Sequence, residues 1–124
     1  MALPATEELL APVTAIEGFQ LAGLIDASTG MVLASAGSQD DISLPVAAAG
    51  VTDLAGLLSL LAGELACGDE VEDVVVTFEH HLHLIRMVRP TASQTMILMV
   101  ILDRARANLA MARRAIRKFC AGFA

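Results

Sequence analysis

Three histidines fall within four residues, His80, His81 and His83, in the stretch "EDVVVTFEHHLHLIRMVRP". Imidazole is a common zinc ligand, so the cluster raises the question of a metal centre. In an extended segment side chains alternate, which puts His81 and His83 on one face and His80 on the other. Two imidazoles fall short of the three or four protein ligands that a structural or catalytic zinc needs. Glu79 is nearby but adjoins an expected turn. The expectation is polar residues meeting solvent at the start of a strand, with no metal site and at most weak zinc affinity.

Other catalytic constellations are equally thin. Ser28, Ser35 and Ser38 occupy turn and strand contexts without a paired base. The acids Asp40, Asp41, Asp69, Glu70, Glu72 and Asp73 cluster where elements begin, which turn and cap chemistry accounts for. An arginine finger needs an exposed loop arginine, and Arg89 beside Pro90 is the one nominee. No phosphate-binding loop is present in the sequence. The chain reads as a non-enzyme with no cofactor. Cys67 and Cys120 are isolated thiols without metal-type spacing, which fits a reducing cytoplasm.

The chain that must carry these residues has 124 residues, 56% of them hydrophobic and 18% charged, with no Trp or Tyr. That length fits one domain, and such an apolar composition in a small fold implies surface covered by a partner. The charges are sorted: 13 of the 14 acids, all but Asp103, precede Arg86, and all eight Lys and Arg residues lie from Arg86 onward. A formal net charge of −6 argues against general nucleic-acid binding. The most apolar stretch, from Leu44 to Cys67, carries Asp53 and Glu64 and has no flanking Lys or Arg, so no membrane span is expected. "MALPATEELL" lacks the positive region of a signal peptide.

Periodicity predicts the elements. A short helix over Thr6 to Ile16, capped by Thr6 and shortened by Pro12, precedes a hairpin in which Phe19 to Asp26 returns through Met31 to Ser35. A long helix follows, with Ser43 or Asp41 as cap and Pro45 in its first turn. Val51, Leu54, Leu58, Leu61 and Leu65 form one stripe, expected to be core. The opposite arc holds Ala49, Thr52, Asp53, Gly56, Ser59, Leu60, Gly63 and Glu64, with Leu57 at its margin. Its small residues admit a second helix at close range, and the expected occupant is another subunit.

Strands are then expected over Val71 to Phe78 and His81 to Arg89, closed by Pro90. The run "TMILMVILD" reads as a central strand buried on both faces. Asp103 is expected to cap the last helix, where Leu109, Ala112, Ile116 and Phe119 line an apolar stripe. Its basic face, Arg106, Arg113, Arg114, Arg117 and Lys118, has three open readings: a solvated surface, a dock for an acidic partner or second subunit, or a contact for anionic lipid or nucleic acid. The order is α-β-β-α-β-β-β-α, an antiparallel five-stranded sheet sandwiched by helices.

"LAGLIDASTGMVLASAG", "EDVVVTFEHHLHLIRMV" and "MILMVILDRARANLAMARRAIRKF" together resemble the roadblock (dynein light-chain) family, in its bacterial branch of partners of Ras-like GTPases. The last of these, with Asp103 and its Arg/Asn/Leu pattern, is similar to actinobacterial-type members. The resemblance covers about Glu7 to Phe119 and implies a profilin-like α/β/α sandwich forming one domain, residues 1–124, that homodimerises. In such a dimer the long helices pair through Asp53, Gly56, Leu57, Leu60, Gly63 and Glu64. Strand edges pair through Val71, Asp73, Val75 and Thr77. The implied function is a cytoplasmic regulator or adaptor of a small Ras-like GTPase, which docks on Asp53, Leu57, Leu60 and Glu64. The alternative is a dimerisation scaffold without nucleotide dependence, with a sensor-kinase-like protein as a further partner.

Overall fold

The computed structural model describes residues 6–38, 40–65, 70–91 and 93–123, with side-chain surroundings from residue 8 onward. The elements are α1 (Thr6–Leu9), α2 (Ala11–Thr14), β1 (Phe19–Asp26), β2 (Val32–Gly37), α3 (Leu44–Leu65), β3 (Asp73–Thr77), β4 (His81–Thr91), β5 (Gln94–Asp103) and α4 (Leu109–Ala121). All strands pair antiparallel in one sheet of order β2-β1-β5-β4-β3. The expected α/β/α sandwich is what the chain adopts.

β5 sits at the centre because it can bury both faces. Met96, Leu98, Val100 and Leu102 point to one side and Ile97, Met99 and Ile101 to the other, and all seven are buried. On the first side they meet Leu10 and Val13 between and within the short helices, and Ala112, Ile116 and Cys120 of α4. On the second they meet Leu21 and Ile25 of β1, Ile85 of β4, and Ala48, Val51 and Ala55 of α3.

Several sequence expectations need local correction. The first helix is split into two single turns at Leu10, because Pro12 falls in the first turn of α2 and has no N–H to continue α1. The Thr6 side chain lies outside the described residues, as does Cys67. β3 starts at Asp73 and ends at Thr77, shorter than Val71 to Phe78. β4 runs past Pro90 to Thr91, since a register shift between Val88 and Thr91 takes the proline out of the regular ladder. Asp103 is not the cap of α4. Its carboxylate accepts from the Ala105 amide at 3.1 Å in a turn, and Asn108 caps the helix by accepting from the Met111 amide at 3.1 Å.

The β1–β2 connection shows why its turn residues are there. Asp26 Oδ1 accepts from the Ser28 amide at 2.9 Å and from the Ser28 hydroxyl at 2.7 Å, which holds the Asp26 carboxyl below its ordinary range. Gly30 takes φ of +75°, a left-handed conformation that glycine adopts without cost, and its amide donates to the Asp26 carbonyl at 2.8 Å.

Candidate interaction surface

α3 begins where the Ser43 carbonyl accepts from the Ala47 amide at 2.9 Å, with Pro45 in the tolerated first turn. It packs chiefly over β1, β2 and β5. Its buried residues are Ala48, Val51 and Ala55, while Leu54 packs at the margin. The leucines are outside: Leu57 is 64% exposed, Leu60 63%, Leu61 53% and Leu65 65%. This corrects the expected core stripe. Val51 belongs to it, but Leu61 and Leu65 do not. Small residues allow the helix to lie close to the sheet, so the contact line runs through alanines and is rotated away from the leucines.

Asp53, Gly56, Gly63 and Glu64, assigned from the sequence to the self-association surface, are all exposed on α3. A methyl group built onto Gly56 or Gly63 would meet nothing within 4 Å, so nothing among the described residues requires glycine there. By length and composition this helix could cross a bilayer. In the structure one side of it lies against the sheet.

β3 is an edge strand, paired with β4 alone among the described residues. Val74 and Val76 face the α3 side, and Val75 packs towards the α4 side. Because α3 sits over the other half of the sheet, Val74, Val76, His81, His83 and Met87 are only half-buried, and Phe78 is 48% exposed. The exposed leucines and this half-open strip lie on the same side of the sheet. Val71 is half-buried and Thr77 exposed, both at the expected edge.

The Asp73 side chain is engaged within the chain. Arg113 grips it with two hydrogen bonds, Nε to Oδ2 at 2.8 Å and Nη2 to Oδ1 at 3.0 Å. Glu72 accepts from Arg117 at 3.1 Å and from Arg86 at 3.4 Å, and Glu70 accepts from Arg89 at 3.4 Å. The acidic lead-in to β3 is thus clamped by arginines of β4 and α4. The pairing changes the reading of the basic helix: two of its cations serve this internal clamp, Arg114 and Lys118 are exposed, and Arg106 lies in the turn before it. Arg89 stands on a strand beside Glu70, away from the loop position that a catalytic finger needs.

The histidines separate as alternation requires. His81 and His83 share the half-open face with ring centroids 6.5 Å apart, and Phe78 lies 4.6 Å from His83. His80 sits in the turn, 3.6 Å from Glu79. Partial burial, with a smaller contribution from His81, pushes the His83 pKa down. Among the described residues no three His, Cys, Asp or Glu side chains come together as a ligand set. The sequence reading missed Leu61, Leu65, Val46 and Phe78 as exposed apolar groups. The alanines opposite the leucines of α3 were the signal that could have placed the first two.

No family model and no curated protein matches the sequence. Solved structures do match in fold. Myxococcus xanthus MglB aligns with a TM-score of 0.78 at 20% identity, covering 98% of this chain and 88% of that one. A roadblock/LC7 domain from Streptomyces avermitilis aligns with a TM-score of 0.77 at 19% identity, covering 96% and 94%. An MglB in a tetrameric arrangement aligns with a TM-score of 0.75 at 21% identity, covering 95% and 84%.

Proposed function

The chain has the roadblock/LC7 fold, and from that premise we propose that it is a homodimeric, non-catalytic regulator or adaptor of a small Ras-like GTPase, acting in the cytoplasm. One observation carries the reading. α3 turns Leu57, Leu60, Leu61 and Leu65 to solvent on the same side of the sheet as an unpaired apolar edge strand. Folded proteins avoid leaving such an edge open, and a two-fold partner can cover both features at once. The tetrameric arrangement of one fold relative supports self-association as a property compatible with this architecture.

In this reading the paired α3 helices present a platform in which Asp53 and Glu64 flank the leucines. The GTPase half of the proposal draws on the resemblance of the three sequence stretches to the bacterial roadblock branch. It is tested by pull-down of the full chain against Ras-like GTPases of its own genome, each loaded with GDP or a GTP analogue. Nucleotide-selective capture supports the regulator. Nucleotide-blind capture, or none by a folded dimer, favours the scaffold instead.

A further inference from the structure

We propose that His81 and His83 make self-association acid-labile, so that protonating this imidazole pair loosens the dimer. The inference rests on the dimer reading, because it is the second copy that completes the surroundings of the pair. Both rings lie on the half-open sheet face beside the free edge. His83 is flanked by Val76 across β3 and Ile101 across β5, and the Phe78 ring leans on it at 4.6 Å. Its surroundings are therefore apolar on three sides, and a covering subunit would close the fourth.

The charged groups around the pair do not offset a positive charge on His83. Asp103 stands across from His81, with its carboxylate committed to the Ala105 amide. Glu79 and His80 pair with each other in the exposed turn. Arg104 adds a cation nearby, donating to the Phe78 carbonyl at 3.2 Å and the Glu79 carbonyl at 3.5 Å. Asp53 and Glu64 are the ionisable groups of α3, and in a second copy they are the acids that could approach from that helix. The second copy's β3 brings Val74 and Val76 on this face, which carry no charge.

Two nearby imidazolium ions in such a site repel each other and lose hydration on covering. Burial already pushes the His83 pKa down, with His81 adding to it, and covering extends the same effect. The dimer then binds fewer protons than two separate protomers, so association weakens as pH falls through the histidine range. A further lowering of one unit per subunit amounts to roughly a hundredfold in a dimer that carries two such sites once pH lies well below both pKa values, and to less within the histidine range.

The test is sedimentation of the full chain over a dilution series at about pH 7.5 and about pH 5.5, with circular dichroism confirming the fold at both. Wild type should dissociate roughly 3- to 30-fold more readily at the lower pH. The His81→Gln/His83→Gln double variant should change by less than about twofold, on the same scale. His83→Phe preserves an aromatic partner for Phe78 and should also blunt the response, which guards against misfolding of the double variant. His80→Gln should behave as wild type. Equal wild-type association at both values, or tighter association at low pH through Asp53 or Glu64 of the second copy, overturns the inference while leaving the dimer intact. A protein that is monomeric throughout the series at the higher pH overturns the dimer reading and this inference with it.

Discussion

α3 and α4 flank the same sheet and use their residues in opposite ways. α4 buries Ala112, Ile116 and Cys120, commits Arg113 and Arg117 to the acids at the start of β3, and caps itself with Asn108. Its chemistry is largely satisfied inside the chain. α3 is longer and far more apolar, yet it buries Ala48, Val51 and Ala55 and exposes its larger Leu57, Leu60, Leu61 and Leu65. A helix that puts alanine inside and leucine outside has been arranged for something beyond its own sheet. The sheet repeats the contrast. Its β1–β5 portion is covered on both faces, whereas β3 ends in a free edge with half-buried valines.

Substitutions can break this contrast from either side. Ile116→Ala should have the largest effect on the protomer, about 2–4 kcal/mol of unfolding free energy, because it empties a fully packed site under α4. Chemical denaturation measures it, corrected for protein concentration. Leu60→Asp should do the reverse and leave protomer stability nearly unchanged. Association should weaken by about 30-fold or more, the scale of an interface residue worth roughly 2 kcal/mol. An unchanged mass in sedimentation would remove α3 from the interface. Asn108→Ala removes a helix cap and should cost about 1 kcal/mol of stability with association intact, again separating α4 from α3.

The smallest effect concerns pH. The folded protein holds the His83 pKa below its ordinary value of 6.5, so the unfolded chain takes up the proton first. The stability linked to His83 is complete above 6.5 and is lost as pH falls through the folded pKa. The difference in melting temperature between wild type and His83→Phe should be constant above that value and shift in favour of the variant below it.

How much of this is legible in the chain depends on the range of the interactions. The unbroken apolar run in "TMILMVILD" correctly marks the doubly buried strand, and the hairpin signal "DASTG" places the turn at Gly30. The cap of α4 is misread because Asp103 and Asn108 are both good capping residues, and a turn at Arg104 to Arg106 decides between them. The stripe of α3 is misread by about one residue's rotation, since leucine periodicity alone assumes that the largest residues go inward. The arginine clamp is not legible at all. It joins Asp73 to Arg113 and Glu72 to Arg117, residues some 40 positions apart, and only the folded sheet brings them together.

By itself the sequence determined the number and order of the main elements, the central strand, and a surplus of apolar surface, because these follow from local periodicity and from composition in a small domain. Tertiary structure alone decided which side of α3 meets the sheet and which cations are engaged. Those outcomes depend on distances between elements, and residue types along a chain do not specify them.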